Sequence, residues 1–318
     1  MNSAIFEEIY SSWKNNFDDG TGYSFFAKKF GYETSEGIRS AFRRWRKKRG
    51  LRREENIIEK KETGKPVVGV VDIETLPAEV YVFQLYDQNI SISQIITDVC
   101  LLSWAGKYLN ESETFSDILT SKEAPKKDEK RIVESCWKFL NTCDVIIGHN
   151  WSGFDGRILN TLFLQYGFPP LKYVTVDTLS CARHNFKFSS NKLDFINKKL
   201  GIRNKLTNEG FILWKHCHEG DQKSLDSMME YNIGDIFSTE ELFYRLRPYI
   251  RNFNVALYNE IEENQCPVCG SVDLKVEGFY YTSAGKWESV RCQECQCISR
   301  KKNNLFTTEK KKSLLINS

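Results

Sequence analysis

The chain has 318 residues, 41% apolar and 27% charged, with a net charge of +3; that is more than one small domain needs and excludes wholesale disorder. No apolar run approaches the roughly 18 residues of a membrane-crossing helix, and MNSAIFEEIYSSW has no basic stretch ahead of an apolar one, so neither a transmembrane span nor a secretory signal is read. The small total hides 12 basic against 8 acidic residues in 1–55, 24 against 29 in 56–263 and 9 against 5 in 264–318, or +4, −5 and +4, a sign asymmetry that points to basic ends meeting a polyanion.

Residues 1–53 read as three short helices. Ile5, Phe6, Ile9 and Trp13 recur at helical spacing until Asp19-Gly20-Thr21-Gly22 breaks the pattern. Tyr23 to Phe30 forms a second segment that Gly31 ends. Thr34 or Ser35 can cap a third, Ser35–Arg49, with Glu36 in its first turn and Ile38, Ala41, Phe42 and Trp45 as its apolar face. Nine basic residues lie between Arg39 and Arg53, with no acids at i+4 to pair with them. The trio resembles a helix-turn-helix, which would put Arg39, Arg43, Arg44, Arg46, Lys47 and Lys48 against nucleic-acid phosphates. A solvated helix on a packing domain is the plainer alternative. The polar stretch 54–66, ending in Gly and Pro, reads as a linker.

The middle has α/β character. Val67–Ile73 is a β-branched run suited to a buried strand, and Val80–Tyr86 and Val99–Ala105 are further strand candidates. Glu129–Leu140 reads as a helix, Val145–Ile147 as a strand, Gly156–Tyr166 as a helix and Tyr173–Val176 as a strand. Leu193–Leu200 and Leu225–Leu246 read as helices. The order suggests a mixed sheet with helices on both faces.

Three acidic motifs stand on these elements. Asp72 and Glu74 are two apart near the end of the first strand and so share a face. Asp155 follows the Val145–Ile147 strand within His149-Asn150-Trp151-Ser152-Gly153-Phe154-Asp155, at the end of the sheet where ligands gather; the helix dipole alone would also favour an acid there. Tyr231 and Asp235 are four apart on a late helix and share a face, which fits equally a solvated acid beside a half-buried tyrosine. Asp144, Asp177 and Asp194 read as boundary acids, His149 as a neighbour of the site, and His216-Cys217-His218 as a surface segment.

In this order the motifs D-x-E, H-N-x-x-x-F-D and Y-x-x-x-D resemble those of the DEDD exonucleases, the DnaQ-like 3′–5′ exonucleases of the ribonuclease H-like fold, in their tyrosine-bearing subgroup. The stretches Leu102-Ser103-Trp104-Ala105 and Val176-Asp177-Thr178-Leu179 are similar to phage-type members. The resemblance covers about residues 67–250. It implies a cage of Asp72, Glu74, Asp155 and Asp235 around two Mg²⁺ or Mn²⁺ ions, with Asp72 bridging both. Tyr231 would orient the attacking water, and Asn150 would lie by the nucleic acid. Hard cations prefer such oxygen ligands, and paired ions serve phosphodiester hydrolysis.

Ten cysteines fall into two groups: five are scattered through the middle and five crowd the end. Cys266-Pro-Val-Cys269 and Cys292-Gln-Glu-Cys295 enclose a β-rich insert and resemble a zinc ribbon, with one structural Zn²⁺ on four thiolates and Cys297 as a spare thiol. The expected architecture is an α/β ribonuclease H-like mixed sheet flanked by helices, with a small all-α N-terminal domain and a small zinc-ribbon C-terminal domain. Its boundaries are 1–55, a linker over 56–66, 67–255, and 260–318 with a basic tail. The expected function is a metal-dependent 3′–5′ exonuclease on DNA, single strands or 3′ ends, in the cytoplasm (of a host, if phage-encoded), with a replication or recombination protein as partner and no membrane. An RNA-directed exonuclease, a structure-specific endonuclease and a DNA-binding adaptor with an inert centre are the alternatives.

Overall fold

The structure, a computed structural model, describes residues 3–14, 22–48, 64–84, 86–202, 210–251 and 253–315. The chain divides into two units, Met1–Lys61 and Glu62–Ser318. The first contains α1 (Ser3–Lys14), α2 (Tyr23–Lys29) and α3 (Ser35–Lys48). Phe6 and Ile9 from α1, Phe26 and Ala27 from α2, and Ile38, Ala41 and Phe42 from α3 form its core, at the spacing of an apolar helical face. Gly31, at φ +69°, ends α2 in the left-handed conformation that glycine adopts without strain. Of the two candidate caps, Thr34 serves: its Oγ1 accepts from the Gly37 N–H at 3.0 Å. Arg44 on α3 is exposed. The side chains of Arg39, Arg43, Arg46, Lys47 and Lys48 lie outside the described residues, as do Arg49, Arg52, Arg53 and the linker up to residue 63.

The second unit begins with β1 (Val68–Leu76), followed by β2 (Glu79–Val80), β3 (Ile95–Thr97), β4 (Cys100–Tyr108) and β5 (Thr114–Ile118). Then come α4 (Lys130–Asn141), β6 (Val145–Gly148), α5 (Asp155–Tyr166), β7 (Val174–Asp177), α6 (Thr178–Asn185), α7 (Leu193–Leu200), α8 (Phe211–His218) and α9 (Gln222–Leu246). A five-stranded sheet runs β5-β4-β1-β6-β7. β1 pairs antiparallel with β4 and parallel with β6, which pairs parallel with β7. The alternation of side chains along β1 splits the core. Val71 and Ile73 pack with Ile132, Val133 and Phe139 of α4 and Leu159 and Phe163 of α5. Val70 packs with Val145, Ile147 and, from α9, Ile236 and Phe243. Asp72 and Glu74 share the parity of Val70, so β1 turns both acids toward the side of α9. Buried Lys107 of β4 forms an ion pair with Glu240 of α9, tying that helix to the sheet.

Several segments depart from the sequence reading. Val80–Tyr86 is not a strand of the main sheet: β2 ends at Val80 and pairs only with the short β3, because β4 and β6 already occupy both sides of β1. Tyr81, Phe83 and Tyr86 are exposed there. β5, α6 and α8 were not foreseen. His216-Cys217-His218 is not a surface segment throughout, since Cys217 is fully buried in the core beneath α8.

The chain closes with β8 (Leu274–Thr282), β9 (Gly285–Cys292), β10 (Ile298–Arg300) and α10 (Thr308–Lys312). These strands form a second sheet in the order β10-β9-β8. Its cysteine-bearing end shares a core with the first: Cys266, Val268, Cys292 and Cys297 cluster with Val70, Val145, Val176 and Phe253.

Candidate active site and cysteine cluster

Carboxylate oxygens of Asp72, Glu74 and Asp235 lie within 4.8 Å of one another. Two come from the exit of β1 and one from the middle of α9. Asp235 is buried and the other two are half-buried. Asp155 is not part of this trio, but it stands against the strand between its members: its Oδ1 accepts from the backbone N–H of Ile73 at 3.3 Å. Asp155 is the first residue of α5 and is buried. Burial raises its pKa to about 7, with a contribution from Asp177, against the lowering pull of its own amide and that of Ile73. An adjacent cation would favour its ionised form.

The turn that delivers Asp155 is built around Trp151. A Cβ at Gly156 would meet Trp151 Nε1 at 2.9 Å and one at Gly148 would meet its Cβ at 3.0 Å, so glycine on both sides lets the indole be buried. Asp177 clamps the same turn. It accepts from the N–H groups of Asn150 at 3.1 Å and Ser152 at 3.0 Å while capping α6 through Leu179 and Ser180. Asp177 thus has the boundary role read from sequence. His149 is likewise a neighbour of the site: its ring nitrogens lie 2.9 Å from Thr178 Oγ1 and 2.9 Å from the Asn191 carbonyl. Asn150, expected at the nucleic acid, holds the corner of the turn at φ +71°.

Two residues of the site were missed. Asn232 donates from Nδ2 to Asp72 Oδ2 at 2.7 Å, and Ser103 Oγ donates to Asn232 Oδ1 at 3.2 Å. Both are fully buried. Asn232 stands three residues before Asp235 on one helical face, but the β1–β4 register that sets Ser103 opposite Glu74 is not written in local spacing. Tyr231 is buried on the same turn of α9, its ring edge-on to Trp214 of α8 at 6.2 Å. A cavity of about 440 Å³ is lined among others by Thr75, Val99, Phe154, Ile158 and Leu162; Thr75 and Phe154 are sequence neighbours of Glu74 and Asp155, but none of the four acids lines it.

The second cluster is made of thiols. The sulfurs of Cys266, Cys269, Cys292 and Cys295 lie within 4.8 Å of one another. Two turns of the same build present them. Gly270 N–H donates to the Cys266 carbonyl at 2.9 Å and Cys266 N–H to the Ser271 carbonyl at 2.8 Å. Gln296 N–H donates to the Cys292 carbonyl at 3.1 Å and Cys292 N–H to the Cys297 carbonyl at 3.0 Å. The residue after each second cysteine is left-handed, Gly270 at φ +77° and Gln296 at φ +62°. Burial raises the Cys269 thiol to about 11. Burial works the same way on Cys292, but the Cys295 amide, the Cys269 thiol and the Glu294 amide hold it down at about 7. Cys297 is outside the quartet; its sulfur is 3.7 Å from the Ile298 carbonyl.

No helix among the described residues is long and apolar enough to cross a membrane. No curated protein matches the chain. Among solved structures it is similar to a family B DNA polymerase from the hyperthermophilic archaeon Pyrobaculum calidifontis, with 19% identity and a TM-score of 0.43 over 57% of this chain and 25% of that one. The chain thus spans about a quarter of the polymerase's length. The model of the RNase_H superfamily matches residues 92–247, a span that holds Asp155, Tyr231 and Asp235 and begins after β1. The five-stranded mixed sheet flanked by helices is, with this match, a ribonuclease H-like fold.

Proposed function

We propose that the chain is a divalent-metal-dependent 3′–5′ exonuclease that hydrolyses phosphodiester bonds of DNA and releases nucleoside 5′-monophosphates. The convergence of Asp72, Glu74 and Asp235 from two distant elements, with oxygens within 4.8 Å, carries this reading. Three carboxylates at such range repel one another, and hard oxygen donors so arranged suit Mg²⁺ or Mn²⁺. Asp72, Glu74 and Asp235 would hold the ions, with Asp155 beside them. When bound, divalent ions supply an activated water and neutralise charge on the phosphate and the departing 3′-oxygen. The chain's own groups orient these parts. Ser103 and Asn232 fix the rotamer of Asp72. The Tyr231 hydroxyl aligns the attacking water, and the cavity beside Phe154 receives the terminal nucleotide.

The four thiolates suit one Zn²⁺ in a closed, structural site with no open position for chemistry. The basic helix α3 grips nucleic-acid phosphates in a helix-turn-helix-like domain. A DNA oligonucleotide labelled at both ends tests the reading. The 3′ label should be released first, in Mg²⁺ or Mn²⁺ but not with EDTA. Earlier loss of the 5′ label overturns the polarity, and cleavage of a circular substrate points to an endonuclease. A matched RNA strand, cut faster than the DNA, would transfer the activity to RNA.

A further inference from the structure

β8 is one of the two edge strands of the C-terminal sheet and carries three consecutive aromatic residues. Phe279, Tyr280 and Tyr281 remain 50%, 47% and 62% exposed. Large rings on a sheet edge are an association hazard unless they meet a ligand. We propose that the face bearing Phe279 and Tyr281 binds single-stranded nucleic acid, at a site separate from the carboxylates and independent of the nuclease reading.

Residues opposite one another in an antiparallel pair share a face, and Tyr281 stands opposite Lys286. The Lys286 ammonium lies 3.7 Å from the centre of the Phe279 ring and 5.7 Å from that of Tyr281. The two rings are 6.5 Å apart. A cation is thus seated among exposed rings, the combination that takes a base on the ring and its phosphate on the ammonium. Nearby acids are already engaged: Glu288, opposite Phe279, pairs with Lys301 at 2.6 Å, and Glu277 pairs with Arg291 at 2.8 Å. Residues 264–318 carry 9 basic and 5 acidic side chains, so the surrounding field attracts a polyanion. The contrast lies in the segment 77–99, which also exposes Tyr81, Phe83 and Tyr86 but contains three acids and no Lys, Arg or His. Exposed rings alone do not fit a nucleic acid; rings with a cation seated among them do.

Binding of a fluorescent oligothymidylate of about 20 nucleotides to the full chain tests this, in an Asp235→Asn background so that no strand is consumed. Replacing both Phe279 and Tyr281 by Ala should weaken binding about 10- to 100-fold, whereas Tyr281→Phe keeps the ring and should stay within about twofold. An abasic strand of equal length should bind the unsubstituted and double-Ala proteins alike. Photocrosslinking the unsubstituted face with a 5-iodouracil strand should label the peptide 276–286. Unchanged affinity in the double variant overturns the proposal and leaves the face to a protein partner. An equal loss on the abasic strand, or no adduct on that peptide, overturns it too.

Discussion

Asp72 accepts a hydrogen bond from Asn232, which is itself held by Ser103. A carboxylate needs a fixed rotamer to share a cation with neighbours from another element, and this buried relay supplies it. Outer partners of ligating groups are typically worth 10- to 100-fold in metal affinity or activity. Asn232→Ala should therefore lower the rate of 3′-nucleotide release by about 10- to 100-fold and raise the Mg²⁺ concentration needed for half-maximal rate. Asp72→Ala and Asp235→Ala should abolish release while the thermal melt survives. Near-wild-type turnover in either would end the assignment of the cage. Tyr231→Phe removes only a hydroxyl, and the edge-on contact with Trp214 holds the ring where it is. Its kcat should fall by about tenfold or more with KM little changed, as for a group used in the transition state. A rise in KM at constant kcat would make Tyr231 a packing residue.

At the scale of elements, β5 and the loop after it are pinned to α4 by one arginine. Arg131 meets Asp117 at 2.6 Å and Glu123 at 2.8 Å. The Arg131 hydrogen bond, assisted by the Thr120 amide, outweighs partial burial and holds Glu123 at about 2. A carboxyl lowered in the folded state stabilises above its unfolded pKa, about 4.3, and loses that contribution as pH falls toward 2. Glu123→Gln should therefore flatten the decline in melting temperature between pH 4.5 and 2, the decline of the native protein being steeper. Superimposable curves would show that the pair contributes nothing, as exposed pairs often do. β5 also marks what the sequence concealed. Thr114–Ile118 is half-buried and mixed in polarity, and its place comes from pairing with β4. Val67–Ile73 was legible because its run of apolar residues is buried on both faces. Val80–Tyr86 is also rich in β-formers, but β4 and β6 already flank β1, and no local pattern records that. The acids were legible because their spacing is local; Asn232 and Ser103 acquire meaning only when α9 crosses β4.

The whole molecule bears on how the cysteine cluster should behave. From sequence the C-terminal segment reads as a small module needing metal as a staple, since about 55 residues build little core. Its packing gives it a wider role. Cys266, Val268, Cys292 and Cys297 lie in one apolar cluster with Val70, Val145, Ile147 and Val176 of the main sheet, and with Ile236 and Phe243 of α9. The Val255 N–H also donates to the Pro267 carbonyl at 2.8 Å, joining the chain after α9 to the first cysteine turn. The face of β1 that carries Asp72 and Glu74 thus continues, through Val70, into the wall beneath the thiols. If zinc binds the thiols, its binding free energy is folding free energy, and removing it exposes part of the main sheet's own core. Cys269→Ser, or chelation of the native protein, should lower the unfolding temperature of residues 62–318 as one cooperative transition. Nucleotide release measured in restored Mg²⁺ should fall in step with that transition. Calorimetry distinguishes this from a tethered module. Two separate transitions, with the upper one and the hydrolytic rate unchanged by chelation, would show that the sheet stands without the thiol cluster.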